Sequence, residues 1–245
     1  MRMKNRVALV TGGSRGIGAS VARKLAGEGA QVALVYNANR AAADEVAQEI
    51  RAKGGEAETF QGNVTDEHAV KAMVQKVVAR FGKIDVLVNA AGVFEAAVLG
   101  EISRELFQNE FLTHAWSVIA VTQAALPHFP KTGGHIVNVS TSLVHEPSNG
   151  TAIYSAAKAA VEVLTRGFAL ELGARGIRVN AVAPHITRTD MTAGIPADVL
   201  KSEASLTPLG RLAEPEDVSD VVAFLASSDA RWITGRTILT DGGRM

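Results

Sequence analysis

The 245-residue chain contains no cysteine. That excludes disulfide bonds, thiolate nucleophiles and cysteine-ligated zinc. It has no surplus of either charge, with 25 basic side chains against 25 acidic ones. A surface made for nucleic acid or an acidic membrane needs a basic excess, so neither is an expected partner. No apolar run is long enough to span a bilayer. The opening Met1-Arg2-Met3-Lys4-Asn5-Arg6 runs straight into a short apolar segment. It has neither the apolar core nor the small-residue cleavage site of a signal peptide, so a cytoplasmic location is expected. Repeats, low-complexity tracts and linkers are also missing, which makes residues 1–245 one domain.

What is present suits a packed core. Hydrophobic residues make up 47% of the chain, and its length is ample for one large buried core. Short Val- and Ile-rich runs at 6–10, 31–36, 56–62, 84–89, 135–140, 178–183 and 237–240 read as strands. They are continuously apolar, as strands covered on both faces are. Segments 17–28, 41–53, 66–81, 106–126, 152–172 and 215–226 read as helices between them. Gly29 and Gly82 suit helix C-termini and Pro215 a first helical turn. The alternation predicts an α/β fold, a Rossmann-type doubly wound parallel sheet of about seven strands with helices on both faces. The stretch 184–214 differs. It is long, contains Pro184, Pro196 and Pro208, and follows a strand C-terminus, where loops line the ligand crevice. A substrate lid is expected there.

The first strand is followed by Thr11-Gly12-Gly13-Ser14-Arg15-Gly16-Ile17-Gly18, which opens the first helix. Glycines let the backbone turn sharply and approach phosphate closely, and a helix N-terminus offers N–H groups and a positive dipole end. Gly12, Ser14, Arg15, Gly16, Ile17 and Gly18 are therefore expected to bind a dinucleotide. The second strand ends at Tyr36-Asn37, where an NAD-specific site usually carries Asp or Glu for the ribose 2′-OH. Asn37, with Arg15 and Arg40 nearby, would suit a 2′-phosphate instead. NADPH is the expected cofactor, ahead of NADH.

Tyr154 and Lys158 stand four apart in an Ala-rich helical stretch and so share one face. A free phenol titrates near 10 and is a poor proton carrier at neutral pH. A fixed positive charge beside it favours phenolate and lowers that value, which makes the two a candidate acid/base unit.

Together, Thr11-Gly12-x-x-x-Gly16-x-Gly18, Asn89-Ala90-Ala91-Gly92, Ser140-Thr141-Ser142 and Tyr154-x-x-x-Lys158 resemble the short-chain dehydrogenases/reductases in order and spacing. The likeness covers essentially the whole chain, through Asn180-Ala181-Val182-Ala183-Pro184 to Asp241-Gly242-Gly243. Within that family it is most similar to the 3-oxoacyl-[acyl-carrier-protein] reductases. The resemblance implies an NADPH-dependent carbonyl reductase, reversible, acting on 3-oxoacyl or related ketones. Tyr154 would protonate the carbonyl oxygen, while Lys158 would lower the Tyr154 pKa and hold the nicotinamide ribose. A hydroxyl of the Ser/Thr cluster would steady the same oxygen. Ser142, twelve residues before Tyr154, is preferred, with Thr141, thirteen before, as the alternative. Asn63 and Val64 match residues at the adenine ring and Asn89 and Gly92 residues at the adenosine ribose. Pro184 and Thr189 match residues at the nicotinamide. Ser142, Val144 and His185 would line an apolar substrate pocket, with Val93, Phe94, Leu143, Ile186 and Met191 at its rim.

Three departures bear on the chemistry. His114 stands where the family has an asparagine that holds a proton-feeding water; it is either a catalytic relay member or a passive ring. His185 stands where the family has glycine and would narrow the pocket. His145 follows Ser142, but the spacing of these histidines matches no metal motif, so no metal is expected. His68, His128 and His135 read as surface or strand-edge residues. At Thr132 the carrier-protein reductases have a basic residue, and only Arg175 keeps the other basic position, so acyl carrier protein is a possible partner. The family also implies a homotetramer built on helices 106–126 and 152–172. An alternative function is a nucleotide-binding regulator in which His114 and His185 mark weakened catalysis.

Overall fold

In the computed structural model, which describes residues 1–244, the apolar runs become seven strands. They are β1 (Val7–Thr11), β2 (Gln31–Tyr36), β3 (Glu56–Gln61), β4 (Val86–Asn89), β5 (Gly134–Val139), β6 (Ile177–Pro184) and β7 (Thr237–Thr240). The helices are α1 (Gly16–Gly27), α2 (Arg40–Ala52), α3 (Glu67–Phe81), α4 (Arg104–Phe111), α5 (Ser117–Ala125), α6 (Ala152–Leu172), α7 (Ala197–Leu206) and α8 (Pro215–Leu225). The strands form one parallel sheet in the order β3-β2-β1-β4-β5-β6-β7. The chain starts at the centre, winds outward one way, then returns past β1 and winds out the other. A crevice therefore opens where the carboxyl ends of β1 and β4 diverge. Register aligns those ends, since Thr11 pairs with Asn89 and Asn89 with Asn138.

Both faces of the sheet are covered, which explains why its strands are continuously apolar. Strand periodicity sends Ala8 and Val10 to one side, against Val21 and Leu25 of α1 and Val218 and Val222 of α8. Leu9 goes to the other, into a cluster with Val70, Met73 and Val77 of α3 and Val121 of α5. The helix boundaries have local causes. Asp66 caps α3 by accepting the N–H groups of His68 and Ala69 at 2.8 and 3.0 Å, and Gly82 closes it at φ 82°.

The central helix runs through 106–126 as expected, with a π-helical turn at Leu112–Trp116 joining α4 to α5. The extra backbone residue of such a turn often marks a functional site, and this one contains His114. The stretch 184–214, expected as a lid, carries α7 and a 3₁₀ turn at Asp190–Thr192. His135 is no surface residue; it is partly buried in β5, and burial foremost, with Arg178 and Arg6 adding to it, pushes its pKa down to about 3. Among the described residues, no helix is long and apolar enough to cross a membrane.

Candidate active site

The carboxyl edge of the sheet gathers most of the residues singled out by the sequence. At the glycine loop the fit to a dinucleotide is steric and electrostatic. A Cβ on Gly12, whose φ is +66°, would lie 2.8 Å from the Ala90 carbonyl oxygen, and one on Gly18 would lie 2.2 Å from that of Gly12. The loop is thus packed too tightly for side chains. Arg15 precedes α1 without a capping side chain, and the first turn holds no acidic residue. Its free N–H groups and positive dipole end are available to an anion. Arg15 is exposed and 3.9 Å from Asp190, and Thr189 brings a methyl within 3.2 Å of where a Gly16 Cβ would sit. The segment after β6 therefore lies across the glycine loop.

Asn37 ends β2 in solvent, with its backbone carbonyl accepting from Gln61 at 3.0 Å. Asn63 folds back onto Thr65, at 3.1 Å from its N–H and 2.9 Å from its hydroxyl, and Val64 is buried beside it. Asn89 behaves differently from expectation. Its side chain is turned into the sheet, where its amide donates to Asn138 at 2.8 Å. Asn138 donates in turn to Thr165 of α6 at 2.8 Å. Parallel register puts both asparagines on one side of the sheet, so this pair ties β4 and β5 to α6.

Tyr154 and Lys158 share the inner face of α6, as their spacing requires. Their electrostatics are the reverse of the sequence expectation. The Tyr154 pKa is pushed up to about 12, first by burial and then by the charge of Glu110, against a hydrogen bond from the Thr141 hydroxyl. Lys158 does not lower it. The ammonium lies 5.8 Å from the centre of the phenol ring and donates to the Val139 carbonyl at 2.7 Å. Burial pushes Lys158 itself down to about 8, with Glu110 opposing.

The two candidate hydroxyls have separate partners. The Thr141 hydroxyl donates to the Pro184 carbonyl at 3.5 Å and accepts the Leu143 N–H at 3.3 Å, and it lies close enough to Tyr154 to lower the phenol pKa against burial. Ser142 lies 2.8 Å from His185 Nδ1, and His185 Nε2 lies 3.1 Å from Glu203 of α7. A carboxylate only accepts, so Nε2 carries the imidazole proton and Nδ1 accepts the Ser142 O–H. The Ser142 hydroxyl is held by a 2.8 Å bond to the histidine and the Thr141 hydroxyl only by a 3.5 Å contact with the Pro184 carbonyl, so Thr141 is the more readily released donor to a carbonyl. Glu203 is also bonded by Arg244 at 3.0 Å.

The histidines do not converge on one point. Each has its own carboxylate: His114 with Glu110 at 3.0 Å, His145 with Glu162 at 3.3 Å, and His185 with Glu203. The His114 ring stands edge-on to Tyr154, with centroids 5.3 Å apart, and Phe94 packs edge-on to the same ring at 5.1 Å. Val144 and Ile186 are partly buried beside this cleft and Met191 is exposed. Glu110 and Glu203 were missed by the sequence reading. Glu110 is four residues before His114, a helical spacing that was legible; Glu203 reaches the cleft only through the tertiary fold.

The geometry agrees with comparisons to known proteins. A family model described as enoyl-(acyl carrier protein) reductase matches residues 12–244. The 3-oxoacyl-[acyl-carrier-protein] reductase FabG of Staphylococcus aureus is 41% identical, covering 96% of each chain. The dichloro-cyclohexadiene-diol dehydrogenase LinX of Sphingobium indicum is 37% identical over 99% of this chain and 97% of its own. Among solved structures, the angucycline C-6 ketoreductase LanV with bound NADP superposes with a TM-score of 0.94 at 37% identity, covering 99% of this chain and 96% of that one. These are oxidoreductases, and nothing in them favours the regulator alternative. The chain belongs to the short-chain dehydrogenase/reductase family and is an NAD(P)-dependent oxidoreductase acting on CH–OH/C=O groups.

Proposed function

We propose that this enzyme is an NADPH-dependent reductase of ketones carried on an apolar body, 3-oxoacyl compounds among them. The observation that carries the reading is the meeting of Tyr154, Thr141 and Lys158 beside the uncapped N-terminus of α1. Gly12, Ser14, Arg15, Gly16, Ile17 and Gly18 would hold the pyrophosphate. Asn37, with the exposed Arg15 and Arg40 guanidinium groups, would receive a 2′-phosphate that a carboxylate would repel. Asn63 and Val64 would border the adenine, Gly92 the ribose, and Pro184 and Thr189 the nicotinamide side. Bound there, the nicotinamide would supply the hydride.

The protein's own groups handle the proton. A phenol titrating near 12 stays protonated at neutral pH, which suits Tyr154 as donor to the carbonyl oxygen. Thr141 donates to the same oxygen and stabilises its developing charge, taking the part first expected of Ser142. Lys158, as ammonium, is the proton reserve on the same helix face, and it would hold the nicotinamide ribose of a bound cofactor. The reverse reaction starts from phenolate, so its rate should rise toward alkaline pH.

On the substrate side, Phe94, Val144, Ile186 and Met191 offer apolar contact, and His185 bounds the pocket together with Ser142. The segment 184–214 serves as the lid. None of α7's residues is buried, and its tie to the catalytic loop runs through Glu203, His185 and Ser142. Subunits pair through α6, where Val163 and Leu170 are exposed apolar residues, to give the homotetramer. Arg175 is exposed and donates to the Leu126 carbonyl at 2.9 Å. It is the basic contact through which acyl carrier protein would present a 3-oxoacyl group.

The test is NADPH absorbance loss with β-ketoesters, aryl ketones and 3-oxoacyl thioesters. Turnover is expected with a preference for NADPH over NADH of about tenfold or more, the effect of one well-placed charged hydrogen bond. Tight NADPH binding without turnover of any ketone would refute the reductase reading. A preference for NADH would refute the 2′-phosphate assignment.

A further inference from the structure

Beside the acid/base pair lies a carboxylate with no exposed surface. Glu110, in the last turn of α4, is 0% exposed, and a buried carboxylate persists only with donors and a counter-charge. Its Oε1 accepts the Glu95 N–H at 3.1 Å; its Oε2 lies 3.0 Å from His114 Nε2, an ion-pair distance, and has no aligned hydrogen-bond partner within the protein. We propose that Glu110, His114 and Lys158 form a carboxylate–imidazole–ammonium chain, in which Glu110 is a positioning residue that fixes the His114 tautomer and holds Lys158 in its charged form. This rests on Tyr154 and Lys158 being the acid/base pair of the reaction.

The tautomer follows from the partners. His114 Nε2 faces two groups that only accept, the Glu110 carboxylate and the Val93 carbonyl, each at 3.0 Å. Nε2 therefore carries the proton, and Nδ1 is left as a bare lone pair. That Nδ1 is fully buried and has no partner within the protein. A Cβ added to Gly92 would lie 3.6 Å from His114 Nδ1 and 3.9 Å from Lys158 Nζ. The lone pair and the ammonium thus border one small space whose third wall is a residue without a side chain. Lys158 spends one of its three N–H donors on Val139, and the others remain for this space. Size alone, not backbone conformation, calls for glycine at position 92.

The charges agree with this geometry. Burial lowers His114 to about 4, with Lys158 adding to that effect and Glu110 and Val93 opposing, so the ring is neutral in the working range. Burial is what lowers Lys158, and Glu110 is the charge that works against it. Glu162, one turn further along α6, is engaged elsewhere, with the Ser140 hydroxyl at 3.0 Å and His145 at 3.3 Å. Tyr154 is the remaining titratable group at Lys158, and it is uncharged below about 12. The π-helical turn gives His114 its place, four residues after Glu110 and under the phenol ring.

The experiment is a pH titration of Lys158 by NMR, using ¹³Cε-labelled lysine in cofactor-free protein, for the wild type, Glu110→Gln and Glu110→Asp. The wild-type midpoint is expected near 8, and Glu110→Gln should lower it by about one pH unit. Glu110→Asp should restore most of the difference. The alkaline limb of kcat/KM for ketone reduction should move down with the Lys158 midpoint in Glu110→Gln. A merely structural role would lower activity without moving that limb. An unchanged midpoint in a Glu110→Gln protein that unfolds cooperatively and binds NADPH would overturn the proposal. So would ¹⁵N spectra of the wild type placing the His114 proton on Nδ1, a result that needs no variant to fold. Wild-type protein with the expected Lys158 titration but no ketone turnover would instead remove the reductase reading on which the chain rests.

Discussion

Lowering the pH from 7.5 to 5 should cost this fold about 4 kcal/mol through two histidines, and His114→Asn should abolish about half of that loss. His114 titrates near 6.5 when unfolded and near 4 when folded, because burial foremost, then Lys158, penalises the charged ring. The unfolded chain therefore binds the extra proton in the window between those values, and stability falls as pH falls through it. Full protonation of the unfolded state against a neutral native ring amounts to about 3 kcal/mol, and about 2 kcal/mol of it is lost by pH 5. His135, folded near 3, contributes about 2 kcal/mol more over the same range. The assay is urea unfolding followed by circular dichroism at both pH values and fixed protein concentration. The absolute stability of His114→Asn is not the readout, since Glu110 loses a partner in that variant. The readout is the difference between the two pH values, in which the unchanged carboxylates cancel. If His114→Asn loses as much stability as the wild type on acidification, His114 is not held neutral by its surroundings and the burial argument fails.

The hydroxyl assignment separates cleanly. Thr141→Ala should lower kcat by about a hundredfold, the usual loss when a donor to the developing oxyanion is removed, whereas Ser142→Ala should leave kcat within about threefold. Steady-state kinetics with a reducible ketone decide it, and the opposite ranking would return the role to Ser142. At the glycine loop, Gly18→Ala sets a Cβ 2.2 Å from a backbone oxygen that cannot step aside. The cost of about 1–3 kcal/mol should appear as a lower Tm and as NADPH binding weakened roughly 5- to 150-fold by fluorescence titration. Unchanged affinity would mean that the loop is not the dinucleotide site.

Much of the fold was legible because its causes are local. Continuous apolar strands, the Asp66 cap, Gly82 and Pro215 all act within a few residues, and the sheet follows from their alternation. The π-helical turn within the central helix was not legible. Nothing in Leu112-Thr113-His114-Ala115-Trp116 forbids an ordinary helix. The π turn reflects what α4 and α5 must pack against, including Tyr154. The lid's helix was missed for a related reason. With no residue of α7 buried, it has no apolar stripe of core type to betray it.

The site divides in the same way. The linear pattern of Gly12, Gly16 and Gly18, and of Tyr154 and Lys158, determined which groups face the crevice. Turn geometry and helical periodicity depend on neighbours in the chain. Only the tertiary structure decided how those groups ionise and which hydroxyl is the more loosely held. Burial and Glu110 raise Tyr154 where the adjacent lysine alone would have lowered it. His185 takes the proton of Ser142 because Glu203, eighteen residues further on, stands behind it. Desolvation and hydrogen-bond partners are properties of the assembled cleft, and strands far apart in sequence must meet before either exists.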